Sequence, residues 1–227
     1  MPAGLVPGTP LPVRYAQETV WLLPERALWW PAGSVLFVAD LHLGKAATFR
    51  AFGQPVPAGS TAENLRRLDT LIHHYQPARL VFLGDFLHAR QARSASVLAA
   101  LARWRGQHAA LDCVLVRGNH DSHAGDPPAA LGFDVVNEPW PVGPFAACHH
   151  PQQHPTLAVL AGHLHPVLTL RGAAREHLRL PCFCLDPGLA LLPAFGEFTG
   201  GSVVRPAPGR QLYPLGGQTV WRLPASA

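Results

Sequence analysis

Three stretches of the chain are apolar without alternation, and each stops on a polar residue. Ser34 to Ala39 runs into Asp40, Leu80 to Leu83 into Gly84-Asp85, and Cys113 to Val116 into Arg117-Gly118-Asn119. A strand with one face in water alternates, so unbroken runs of this length predict strands buried on both faces. Between the first two, Ser60-Thr61-Ala62-Glu63 has the form of a helix capping box. Leu65, Leu68, Leu71, Ile72 and Tyr75 then recur at helical spacing as far as Pro77. Between the second and third, Val97, Leu98, Leu101 and Trp104 mark the buried stripe of a helix over Ser94 to Arg105. Strand, helix, strand, helix, strand predicts a wound α/β layer, in which sites form outside the carboxyl ends of the strands. Asp40, Asp85 and Asn119 are then expected to share one edge.

The flanking segments are less regular. Residues 1–18 are Pro-rich and read as a loose lead-in, followed by a hairpin of Thr19–Leu23 and Ala27–Trp30 around Pro24-Glu25. Gly44 to Gly59, with Lys45, Arg50 and two prolines, reads as a long loop of the kind that often carries function. Beyond Asp134 short apolar runs are separated by Gly and Pro: Phe133–Val136, Phe145–Cys148, Leu157–Ala161, Val167–Leu170, Leu178–Leu185, Ser202–Arg205 and Val220–Leu223. A second, more antiparallel sheet packed on the first accounts for them. Trp29, Trp30 and Trp140 are assigned to packing rather than to base stacking.

Composition narrows the picture. At 227 residues and 48% hydrophobic, the chain is long enough to bury a full core as one domain, 1–227. Its 24 Pro and 21 Gly are dispersed, as turn punctuation in a strand-rich fold, and no linker stands out. The net charge of +4 and pI near 9.2 lean toward an anionic partner. Every basic residue except Lys45 is an arginine, which suits bidentate phosphate contacts and is equally what a GC-rich genome produces. Cys113, Cys148, Cys182 and Cys184 lie in or beside apolar runs and read as buried free thiols, Cys182-Phe183-Cys184 having the wrong spacing for a zinc knuckle. With no signal-peptide pattern and no run of 18 apolar residues, a soluble cytoplasmic protein without membrane contact is expected.

The chemistry lies where the strands end. In order the chain offers Asp40-x-His42, Gly84-Asp85-x-x-His88, Gly118-Asn119-His120-Asp121, His149-His150 and Gly162-His163-x-His165. Any one of these is unremarkable, but all follow predicted buried strands and all are of metal-ligand type. Carboxylates, an amide oxygen and imidazoles without thiolate favour Mn²⁺, Fe²⁺ or Zn²⁺, and so many donors call for two ions. With neutral histidines such a site keeps net positive charge, which phosphate would fill.

This ordered set resembles the calcineurin-like metallophosphoesterases, whose motifs are D-x-H, G-D-x-x-D, G-N-H-D/E, a lone H and G-H-x-H; the match spans Asp40 to His165. The wording Asp40-Leu-His-Leu-Gly-Lys45, Gly84-Asp-Phe-Leu-His-Ala-Arg90 and Leu180-Pro-Cys-Phe ahead of Leu192-Pro-Ala-Phe-Gly is similar to the ligase-associated DNA-damage-response endonuclease branch. Pattern and resemblance together specify an α+β fold, a four-layer α/β/β/α sandwich with two mixed sheets face to face and flanking helices.

The resemblance implies that Asp40, His42, Asp85 and His165 hold one metal. Asp85, Asn119, His149 and His163 hold the other, Asp85 bridges them, and His120 is the catalytic histidine. His149 is preferred to His150 because the lone ligand of the family directly ends its strand. His88 stands where the broad family has a second acid that helps orient the catalytic histidine, so Asp121 or His88 itself is left to orient His120. Lys45, Arg50, Arg90 and Arg93 are candidate contacts for flanking phosphates. The implied activity is a binuclear phosphodiesterase, with Mn²⁺ the first choice, in which hydroxide held between the metals attacks phosphorus. The branch implies single-stranded or forked DNA as substrate, with a DNA ligase and a helicase of the same repair pathway as partners. Hydrolysis of a small phosphoester, such as a cyclic nucleotide or nucleotide-linked metabolite, and a weakly catalytic binding subunit of a repair complex are the alternatives.

Overall fold

A computed structural model of the chain describes residues 7–51, 53, 60–171, 177–197 and 199–224. The first sheet holds its strands in sequence order: β1 (Leu11–Tyr15), β2 (Glu18–Leu23), β3 (Ala27–Trp30), β4 (Val35–Val38), β5 (Arg79–Leu83), β6 (Asp112–Val116) and β7 (Asp134–Val136). β1 to β4 pair antiparallel through tight turns, and β4 to β7 pair parallel. The switch follows from the connections, since a parallel neighbour needs a crossover long enough to hold a helix. The β4–β5 crossover carries α1 (Lys45–Ala51) and α2 (Ser60–Tyr75), the β5–β6 crossover carries α3 (Ala95–Gln107), and α4 (Asn119–Ala124) follows β6.

The second sheet runs through β8 (Trp140–Val142), β9 (Phe145–Ala147), β10 (Ala158–Ala161), β11 (Val167–Arg171), β12 (His177–Asp186), β13 (Leu189–Leu191), β14 (Gln211–Gly216) and β15 (Thr219–Val220). Their order is β15-β14-β12-β13-β10-β9-β8, with β11 antiparallel to β12. Three of its strands are parallel neighbours, since β10 pairs with both β9 and β13.

Alternating side chains of the buried strands sort into layers. Phe37, Val81, Leu83, Val114 and Val116 meet Phe145, Leu160, Phe183 and Tyr213 between the sheets. Leu36, Val38, Leu80, Phe82 and Leu115 face the other way, under Leu65, Leu68 and Leu71 of α2 and Val97, Leu101 and Trp104 of α3. On the outer face of the second sheet, Cys148, Leu168, Cys182, Cys184 and Leu212 are backed by Val204 and Leu223. The two mixed sheets packed face to face are as expected. Among the described residues the helices lie on the side of the first sheet, and strand β11 and extended chain cover the outside of the second.

Several expectations change. The described part of the lead-in is not loose: Leu11, Val13 and Tyr15 alternate toward the core as β1, with Pro12 tolerated on an edge strand, while residues 1–6 lie outside the described ones. The expected loop from Gly44 contains α1, while residues 54–59 lie outside the described ones. The expected strand at Ser202–Arg205 reduces to an isolated bridge between Val203 and Val167. β8, β13 and β14 had no counterpart in the sequence reading. All four cysteines are free and buried, Trp29 and Trp30 are core residues, and no described helix is long and apolar enough to cross a membrane.

Candidate metal centre

The loops after β4, β5 and β6 lie side by side. His42 N–H donates to the Asp85 carbonyl (2.8 Å), Leu43 N–H to Phe86 (2.9 Å), and His88 N–H to Leu43 (3.1 Å), so the first two loops continue the pairing of their strands past the sheet edge. From the second sheet, the segments after β9 and β10 bring His149, His163 and His165 to the same edge. His163 N–H donates to both Asp40 carboxylate oxygens (3.1 and 2.9 Å), tying the two sheets together at the site.

Much of this backbone is in the left-handed region. Asp40 (φ 54°), His42 (46°), Asp85 (50°), His163 (67°) and His165 (47°) all have positive φ, which costs energy in residues with side chains. Such conformations persist only where the surroundings impose them, and five in one cluster mark a site shaped for something other than stability. Glycines make the approach possible. A Cβ on Gly84 would sit 2.3 Å from His149 Nδ1, and one on Gly162 2.5 Å from an Asp40 oxygen.

Asp40, His42, Asp85 and His165 offer ligand atoms within 4.8 Å of one another, as do His149, His150 and His163. His42 Nε2 stands 3.3 Å from His165 Nε2, and His165 Nε2 3.4 Å from Asp40 Oδ1. His149 Nε2 stands 2.9 Å from Asn119 Oδ1, 3.1 Å from His163 Nδ1 and 3.4 Å from Asp85 Oδ1. Asp85 lies between the groups: Oδ1 faces His149, while Oδ2 faces His42 at 3.7 Å and His120 Nε2 at 3.9 Å.

The donor chemistry asks for cations. His149 Nδ1–H donates to the Leu83 carbonyl (3.0 Å) and His165 Nδ1–H to that of Thr199 (3.0 Å), so in the neutral rings each Nε2 presents a lone pair to its neighbours. One proton satisfies at most one of the three close contacts of His149 Nε2; a metal ion satisfies all of them, and this use of the second ring nitrogen is typical of metal-bound histidine. Asp40 and Asp85 are buried, and their ion-pair partners among the described residues are histidines alone. Burial, reinforced by Lys45, holds His42 far below the usual imidazole range, and burial also lowers His149 against the pull of Asp40. His165 is raised, its pairing with Asp40 outweighing its burial. Burial raises Asp85, opposed by its contacts with His120. Two buried carboxylates beside His42 and His149, whose charged forms burial disfavours, and several converging ring nitrogens fit divalent cations. The Nδ1 of His42 is buried with no hydrogen-bond partner among the described residues.

His149 and His150 separate clearly. The His149 side chain is fully buried and reaches the group around Asp85, whereas His150 is partly exposed and donates Nδ1–H to Glu138 Oε1 (2.6 Å). Glu138 also accepts the N–H groups of His149 (2.6 Å) and His150 (2.8 Å) through Oε2. It pins this turn, a role that no motif marks.

His120 is held by neither side chain expected to orient it. Its Nδ1–H donates to the backbone carbonyl of His88 (2.7 Å), and the His88 ring lies nearly parallel to it, with centroids 5.1 Å apart. Burial, with Lys45 and His120, pushes His88 down to about 4. Asp121 serves the backbone: its Oδ1 accepts from Phe86 N–H (2.9 Å) and Leu87 N–H (3.2 Å), its Oδ2 from Gly118 N–H (3.0 Å). Burial pushes this carboxyl up to about 6 despite those donors. Lys45 lies within the field of Asp85 and Asp40, which oppose the lowering by burial. Arg90 and Arg93 donate to the carbonyls of His123 (3.2 Å) and Asp126 (2.7 Å); the Arg50 side chain lies outside the described residues.

Two cavities open beside the centre. One of about 510 Å³ is lined by Phe49, His88, Arg90, His120 and His123, the other of about 430 Å³ by Arg117, Asn119, Ser122, His123, Glu138 and His150. Phe49, Arg117, His123 and Glu138 were not singled out from the sequence; Phe49 in particular lay in the segment read as loop.

The model of the calcineurin-like phosphoesterase family matches residues 33–164. Among solved structures, the crystal structure of the Pseudomonas putida nuclease MPE is 48% identical, covering 95% of this chain and 100% of that one with a TM-score of 0.84. The phosphoesterase Yfce from E. coli is 16% identical, covering 83% of this chain and 97% of that one with a TM-score of 0.41. No curated protein matches the sequence.

Proposed function

The chain belongs to the calcineurin-like phosphoesterase family, whose members bind two divalent metals, and on that footing we propose that it is a nuclease cutting single-stranded or forked DNA in repair. Similarity to the P. putida nuclease supports the choice of DNA. The observation that carries the reading is Asp85, whose two oxygens face two separate groups of ligand atoms. In this reading Asp40, His42, Asp85 and His165 hold one ion and Asp85, Asn119, His149 and His163 the other, with Mn²⁺ the favoured metal for a set without thiolate. When bound, the two ions supply charge neutralisation of the phosphate and a nucleophilic water at neutral pH.

The chain's own groups do the rest. The His88 carbonyl fixes the His120 ring by its Nδ1–H, which aims Nε2 at the space beside Asp85. From there a protonated His120 gives its Nε2 proton to the leaving oxygen as the P–O bond breaks, a contribution of roughly 10² to 10⁴ in rate. Lys45 and Arg90 supply positive charge for the phosphates of the strand. Four buried free thiols fit a reducing compartment, so we place the activity in the cytoplasm, alongside the ligase and helicase of one repair pathway.

A substrate panel with Mn²⁺ tests this. Wild-type protein is expected to cut single-stranded and forked DNA, and His120→Ala to lose that activity while keeping its fold and metal. Intact DNA alongside hydrolysis of small diesters would replace the nuclease reading with a small-molecule one. Equal activity in His120→Ala would remove the assigned proton donor.

A further inference from the structure

The two cavities adjoin α4 and have His123 in common. Their chemistry differs. The Asn119 side presents hydrogen-bonding groups: Arg117, Ser122, Asn137 and Glu138. The His120 side is an aromatic recess. Phe49 meets the His88 ring edge-on at 5.9 Å, and His88 lies against His120.

Among the described residues Phe49 joins none of the three apolar clusters; it is partly exposed, and Lys45 Nζ lies over its ring, 5.7 Å from the centre. His88, beside it, has an Nδ1 buried without a hydrogen-bond partner. An aromatic face at the edge of a phosphate site, with an ammonium close by, suits a flat ring attached to an anionic backbone.

Resting on the DNA-cleaving reading, we propose that this recess seats an unpaired nucleobase on the His120 side of the scissile phosphate, with Phe49 as its stacking platform. Stacking accepts any base, because every base has a π face, so the recess selects for an unpaired strand rather than for a sequence. A base in a duplex reaches it only by leaving its partner, which costs energy. His120 lines the same recess, so the seated base belongs to the nucleoside whose oxygen leaves. The P–O bond to that nucleoside breaks, and the leaving oxygen takes the His120 proton.

The test is a single DNA strand carrying one abasic position, with cleavage by the Mn²⁺-loaded enzyme mapped at the phosphates on either side. Wild type is expected to cut about tenfold or more slowly at one of these two phosphates, the one whose leaving nucleoside lacks a base, the range that one base–aromatic stack supports. Phe49→Leu keeps apolar bulk but removes the ring. It is expected to slow cleavage of the natural strand by a similar factor and to add little to the abasic defect, because both changes delete one contact. Phe49→Trp should restore the natural rate, and bound metal should match wild type in both variants. If Phe49→Leu leaves the natural-to-abasic ratio at the wild-type value, the recess does not seat a base. If wild type cuts no DNA strand at all, the nuclease reading falls and this inference with it.

Discussion

Asp121 ties three backbone N–H groups, from Phe86, Leu87 and Gly118, to one buried carboxylate, and so sets the chain direction just after Asp85 and just before Asn119. An amide cannot replace it, since its NH₂ would face one of those donors. Asp121→Asn is expected to cost about 2 to 3 kcal/mol and, at about 2 to 4 °C per kcal/mol for a domain of this size, to lower Tm by roughly 4 to 12 °C. Thermal melting checks this, and a Tm within 1 °C or so of wild type would show that the carboxylate is not needed to hold the loop. At this scale the sequence was informative about side chains and silent about carbonyls. Asp40, His42, Asp85, Asn119, His149, His163 and His165 come together as the ordered motifs suggested. The group that fixes His120 is the His88 main chain, and the partners of His149 and His165 are the carbonyls of Leu83 and Thr199. Every residue has a carbonyl, so no residue type marks one for such a task.

β4, β5 and β6 were legible because burial on both faces leaves an unbroken apolar run, and α2 and α3 because their buried stripes repeat at helical spacing. β1 was hidden by prolines that an edge strand accepts, and α1 by the absence of an apolar stripe in Lys45–Ala51. The β5 loop has little freedom. Gly84 has φ +77°, and a Cβ there would lie 2.3 Å from His149 Nδ1 and disturb its bond to the Leu83 carbonyl. Gly84→Ala is therefore expected to weaken metal binding by about 10- to 100-fold, the usual loss when a ligand histidine is deprived of its outer partner. Titration with Mn²⁺ by calorimetry measures this. Wild-type affinity in the variant would mean that the loop relaxes without moving His149.

Over the whole molecule, the centre draws on both sheets: Asp40, His42, Asp85 and Asn119 follow strands of the first, and His149, His163 and His165 follow strands of the second. The core between the sheets thus fixes the distance between the two halves of the site. Pattern alone indicated a second sheet, but not its order, because parallel pairing of β10 with β9 and β13 depends on crossovers that leave no periodic trace. The account rests on Asp85 as the carboxylate shared by two ions across this junction. Its most direct test is the metal content of folded wild-type and Asp85→Ala protein after loading with Mn²⁺ and removal of free ion. About two ions per chain in wild type and fewer than one in the variant are expected, whereas two ions in both, or no more than one in wild type, would contradict a centre built on Asp85.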